Sequence, residues 1–160
     1  MTLLSIDPGR SAKGEKSIGV ALFSTDWELR GLRWGVDKRL SLTYEGLRAS
    51  FDIRTEPWLV FMGVVIDEVV IENFVNNDRS RGGQTNGTSE CIGMVETFCW
   101  LTSTPFIRQE PAALAPAKLH APKGSFKDLK HLRHEDSAFL HGYEFLVRRG
   151  DIEVDLSATM

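Results

Sequence analysis

At 160 residues, 42% hydrophobic and 26% charged, the chain has the size and composition of one globular domain, with no room for a second sizeable core. A formal net charge of −3 excludes a surface that attracts nucleic acid everywhere, but leaves room for a local basic face. Cys91 and Cys99 would stand about 12 Å apart on one helix, too far to bridge, and there is no CxxC pair, so a disulfide framework and a structural zinc site are excluded.

Residues 3–7 (LLSID) are a short apolar run closed by Pro8 and Gly9, which predicts a buried strand ending in a turn. Residues 10–17 (RSAKGEKS) are polar and basic and read as a loop. Residues 18–24 (IGVALFS) and 29–36 (LRGLRWGV) predict two more strands, joined by connections short enough for antiparallel pairing. Residues 42–51 predict a helix, 58–65 fit either helix or strand, and the β-branched run at 68–74 (EVVIENF) predicts a strand. The longest apolar stretch, 58–66, is too short and too soon followed by Asp67 and Glu68 to span a bilayer. No secretory signal is visible, and the reduced thiols fit a cytoplasmic protein.

Residues 76–89 (NNDRSRGGQTNGTS) predict a long polar loop carrying Arg79 and Arg81, with Ser89 capping a helix over 90–101. In that helix Cys91, Ile92, Val95, Phe98 and Cys99 recur with helical period. Residues 105–108 predict a short strand, 110–130 an irregular segment, and 135–149 a helix stopped by Gly150. The domain is expected to span 1–150, with 151–160 a tail. Three hairpin strands followed by alternating helix and strand predict an α/β fold, a mixed sheet with helices packed on it.

Three acids stand out. Asp7 ends a hydrophobic strand, where an ionised carboxylate is expensive unless it is paired or metal-bound. Glu72 repeats the oddity after Val69, Val70 and Ile71; a solvent-facing glutamate is the plain alternative, weakened if the strand is covered on both faces. Asp136 falls in the first turn of the last helix, a position the helix dipole favours anyway. Clustered, the three would repel one another unless they held cations, and hard oxygen ligands suit Mg²⁺ or Mn²⁺. Two such ions can drive phosphodiester hydrolysis.

Residues 4–9 (LSIDPG), the glycine-containing strand IGVALF, residues 69–74 (VVIENF) and Asp136-Ser137-Ala138 at the start of the last helix together resemble the RuvC-type Holliday junction resolvases, phage-encoded members above all. The resemblance runs over residues 2–149. It implies an RNase H-like fold, with a five-stranded mixed sheet of three antiparallel strands followed by two parallel ones. It further implies a Mg²⁺-dependent endonuclease that acts on branched DNA, and a homodimer. Asp7 and Glu72 take the places of the family's first-strand acid and its glutamate, and Asp136 that of the final acid. The remaining ligand lies three residues before that acid, which here is Arg133, so His134 or Glu135 must stand in, and His134 is preferred.

Basic residues cluster in three loops, and Lys13, Lys16, Arg79, Arg81, Lys123 and Lys127 are candidates to contact DNA phosphates. Solvated surface is the plain alternative for each of them. The helix over 90–101 carries Ile92, Met94, Val95, Phe98 and Trp100 and is the candidate dimer interface, unless these residues face the domain's own core. A catalytically weak RNase H-like DNA-binding module is the competing function. A sugar-kinase or actin-like fragment would need a second lobe. Neither a GxxxxGK[ST] loop nor a GxSxG elbow occurs.

Overall fold

The computed structural model describes residues 1–9, 14–28, 31–54, 57–73, 82–126 and 132–154, without the side chains of 27, 28, 31, 32 and 82–86. The apolar run after Met1 forms strand β1 (Thr2–Asp7), and every residue from Leu3 to Asp7 is buried. β2 (Ile18–Glu28) pairs with it antiparallel, matching Asp7 to Gly19, and β3 (Gly31–Leu42) pairs with β2 in the same sense. On the other side of β1 lies β7 (Glu68–Glu72), parallel to it, and then β8 (Phe106–Gln109), parallel to β7. The order β3-β2-β1-β7-β8 is the expected mixed sheet of three antiparallel strands followed by two parallel ones.

Side chains alternate across a strand, so each strand feeds two cores. Leu4, Ile6, Val69 and Ile71 pack with Cys91, Ile92, Val95 and Cys99 of helix α2 (Gly82–Leu101). Leu3, Ala21, Phe23 and Val70 pack with Ala138, Phe139, Leu140 and Leu146 of helix α4 (His134–Arg149). The sheet is thus covered on both faces, which explains why its central strands are apolar throughout.

Several boundaries differ from the sequence reading. The hairpin strands β2 and β3 run further than expected, to Glu28 and Leu42. The ambiguous run at 58–65 is neither a helix nor one strand. Its residues form β5 (Leu59–Phe61) and β6 (Val64–Ile66), which join β4 (Phe51–Asp52) after helix α1 (Tyr44–Ser50) in a separate three-stranded sheet. Residues 82–89, expected in a loop, are the first turns of α2, so Ser89 lies inside the helix and does not cap it. A tertiary contact favours helix there over the local preference of a Gly- and Asn-rich segment: the Thr88 hydroxyl donates to the Gly9 carbonyl at 2.7 Å. The segment at 110–130, expected to be irregular, contains a 3-10 turn (Pro111–Ala113) and helix α3 (Leu114–His120), which packs on α4 through Ala117. Among the described residues, no helix is long and apolar enough to cross a membrane.

Candidate active site

β1 and β7 run parallel, with Ile6 opposite Ile71. Asp7 and Glu72 are the next residue on each strand, so both acids emerge at the same end of the sheet, on strands about 4.8 Å apart. Their alternation places them on the α4 side, in step with Leu3 and Val70. Together with Pro8, Gly9, Asn73, Thr88, Pro111, His134 and Ser137 they line a cleft of about 260 Å³.

The chain turns sharply behind Asp7. Gly9 has φ +53°, and a Cβ there would lie 1.8 Å from the Ser17 carbonyl oxygen, so the turn needs glycine. Its N–H donates to Asp7 Oδ1 at 2.8 Å. His134, the first residue of α4, brings Nδ1 to 3.6 Å from Asp7 Oδ2. Burial pushes the Asp7 carboxyl up, but the facing His134 imidazole, the hydrogen bond from the Gly9 N–H and the nearby Ser137 outweigh it, and the net shift is downward. His134 moves the other way: its hydrogen bond to Asp7 raises it, against partial burial, with the charges of Asp7, Glu135 and Glu72 assisting. α4 can begin this close to the sheet because β2 carries Gly19 opposite Asp7. A Cβ on Gly19 would lie 1.8 Å from the His134 carbonyl oxygen.

Glu72 is met from behind by His141 of α4, whose Nε2 lies 3.4 Å from Glu72 Oε2. His134, Ser137 and His141 are spaced three and four residues apart, so they share one side of α4. That polar spacing is present in the sequence, where the reading stopped at the first turn and missed Ser137 and His141.

Asp136 is not among the residues lining the cleft. It lies about 200° around the helix from His134, and its Oδ1 sits 3.4 Å from Arg39 Nη1 of β3. The Arg39 guanidinium also stacks 3.6 Å from the centre of the Phe139 ring and donates to the Ser125 carbonyl. The three-residue spacing sought between Arg133 and Asp136 therefore occurs one residue later, between His134 and Ser137. Glu135 also faces away from the cleft and hydrogen-bonds the Ser41 hydroxyl.

Lys16 and Lys123 are exposed, whereas Lys13, Arg79, Arg81 and Lys127 lie outside the described residues. The proposed interface helix spends most of its apolar surface within the chain. Ile92 and Val95 are buried, Met94 and Phe98 pack against the same core, and of the five only Trp100 is exposed.

No protein-family model matches the chain, and no curated protein does. Solved structures do. RuvC of Thermus thermophilus in complex with a Holliday junction substrate superposes with a TM-score of 0.55 at 13% identity, over 97% of this chain and 100% of that one. The fowlpox virus Holliday junction resolvase superposes with a TM-score of 0.53 at 15% identity, over 92% of this chain and 99% of that one. The chain shares the fold of these proteins along nearly its whole length.

Proposed function

We propose that this chain is a metal-dependent endonuclease that hydrolyses phosphodiesters in branched DNA, with four-way junctions as its substrate class. The observation that carries the reading is the pair Asp7 and Glu72, side by side at the ends of parallel strands and open to one cleft, on a fold shared with two junction resolvases. A fold alone supports many chemistries, so the weight rests on the site.

The donor set fits a divalent cation. Two carboxylates supply hard oxygen, and the imidazole of His134 stands on the same wall. Asp7, Glu72 and His134 would hold the ion, although among the described residues no three His, Cys, Asp or Glu side chains converge on one point as they stand. A bound Mg²⁺ or Mn²⁺ supplies a water of lowered pKa and stabilises the leaving oxygen. The chain's own residues prepare the wall. The Gly9 N–H orients Asp7, and Thr88 ties the turn after Asp7 to α2. Lys13, Lys16, Arg79, Arg81, Lys123 and Lys127 are the proposed phosphate contacts. Replacing Arg79 and Arg81 by Ala is expected to flatten the salt dependence of junction binding by about one unit of slope per lost contact.

A labelled four-way junction and a matching duplex, incubated with Mg²⁺ or with EDTA, test the reading. Cleavage of the junction alone, and only with the ion, is expected. A second reading, a DNA-binding module with weak or no catalysis, is favoured by one observation: the cleft-facing position one turn after His134 is Ser137, so the described lining holds two acids. Junctions bound but left intact in both Mg²⁺ and Mn²⁺ would establish it. We also propose a homodimer, since two matched cuts need two clusters related by a two-fold axis. Sedimentation with and without junction checks this, and a monomer that still makes paired cuts would remove the dimer from the mechanism.

A further inference from the structure

Behind Glu72, outside the residues that line the cleft, two buried polar side chains form a back wall that phosphodiester hydrolysis leaves unused. His141 is fully buried, and its Nε2 is 3.4 Å from Glu72 Oε2 without the alignment of a formed hydrogen bond. Neither of its ring nitrogens has a hydrogen bond among the described residues. Gln109, the last residue of β8, is the registered partner of Glu72 on the neighbouring strand. It lies on the α4 side of the sheet, two residues on from Ile107, which packs with Val70 there. Gln109 is also buried, at 7% exposure, and neither its amide oxygen nor its amide nitrogen has a hydrogen bond among the described residues.

Interiors rarely leave polar side chains unpaired, and two such groups beside one carboxylate ask for a common explanation. A carboxylate oxygen can accept several hydrogen bonds, and both neighbours carry a donor: the imidazole with its proton on Nε2, and the Gln109 amide nitrogen. A closer approach of about half an ångström would bring His141 Nε2 within ordinary hydrogen-bond distance of Glu72.

We propose that His141 and Gln109 are positioning residues for Glu72, holding one carboxylate oxygen against the back wall so that the other faces the cleft. The inference rests on Glu72 acting as a metal ligand, as argued above. Partners of this kind restrict the ligand to the orientation that binds, and their loss weakens metal binding even though they never touch the ion. Phenylalanine at 141 would fill the space and remove the donor. Glutamine at 141 would return an N–H close to the position of Nε2.

The test is an electron paramagnetic resonance titration of the DNA-free protein with Mn²⁺, comparing wild type with His141→Phe, His141→Gln and Gln109→Leu, each first shown to be folded by circular dichroism. His141→Phe and Gln109→Leu are expected to bind Mn²⁺ on the order of 10-fold more weakly, and His141→Gln to recover most of the loss. Folded His141→Phe and Gln109→Leu with wild-type Mn²⁺ affinity would overturn the inference and leave the nuclease reading standing. A wild type that takes up no Mn²⁺ would overturn the metal-dependent reading and this inference with it. Should His141→Phe fail to fold, Gln109→Leu at the sheet edge decides by the same readout.

Discussion

On one face of the sheet, Leu4, Ile6, Val69 and Ile71 meet Cys91, Ile92 and Val95 of α2 in an apolar layer. On the other face, one residue along the same two strands, Ser5 donates to the Ala138 carbonyl, Asp7 meets His134, and Glu72 meets His141, all on α4. The two layers are made by alternate residues of the same peptides. Stability and chemistry are separable here: β1 and β7 can carry costly carboxylates on the α4 face because Leu4, Ile6, Val69 and Ile71 pack their other face.

The separation can be broken in order of expected size. Asp7→Asn and Glu72→Gln should lower junction cleavage by roughly a thousandfold or more, about 4 kcal/mol of barrier, while junction binding is kept. Single-turnover assays and gel shifts measure the two, and wild-type turnover in either variant would remove the site. Asp136→Asn sharpens the contrast. Because its carboxylate meets Arg39 outside the cleft lining, it should change cleavage far less than Asp7→Asn does.

On the α2 face, Leu4→Ala should cost about 2–5 kcal/mol of stability and leave cleavage per folded molecule near wild type. Urea denaturation alongside activity corrected for folded fraction checks this. A loss of turnover beyond the loss of folded protein would mean the faces are coupled.

Gly19→Ala tests a place where backbone packing and chemistry meet. A methyl group there must displace the start of α4, at a cost of about 1–3 kcal/mol, and His134 must move with it. Both stability and cleavage should fall, and a fully active variant would show that the position of His134 is not critical.

The smallest effect concerns Cys99. Burial pushes its thiol up to about 12, with the nearby Glu96 charge adding to the shift. In the native state at pH 8 it should therefore resist iodoacetamide and react only on unfolding. Labelling followed by mass spectrometry reads this directly, and rapid native labelling would show that the α2 layer opens.

The sheet was legible because its signals are local: β-branched runs, turn residues after Asp7, and acids placed where apolar residues belong. Asp7 and Glu72 stand out on that basis, His134 enters only through the family resemblance, and all three line one cleft. What escaped depends on facts that a linear reading does not contain. The phase of α4 decides whether 136 or 137 faces the cleft, and a shift of one residue turns a helix by about 100°. The helical start of α2 lies in a segment whose composition favours turns, and Thr88 holds it through a residue 79 positions away. The small sheet of β4, β5 and β6 is made of strands of two and three residues, too short for any periodicity to mark.

The bond from Thr88 to the Gly9 carbonyl also bears on how such a protein could change its preferences. Asn73, the last described residue before position 74, lines the cleft beside Glu72, and helix α2, which begins at Gly82, is anchored at the turn after Asp7. Asn73 and Thr88, which flank residues 74–81 in the sequence, therefore both stand at the cleft. Doubling the length of a flexible loop costs only about 0.6 kcal/mol in closure entropy. A longer, shorter or differently charged sequence between Asn73 and Gly82 would therefore cost the fold little while β1, β7 and α4 keep the residues of the cleft in place.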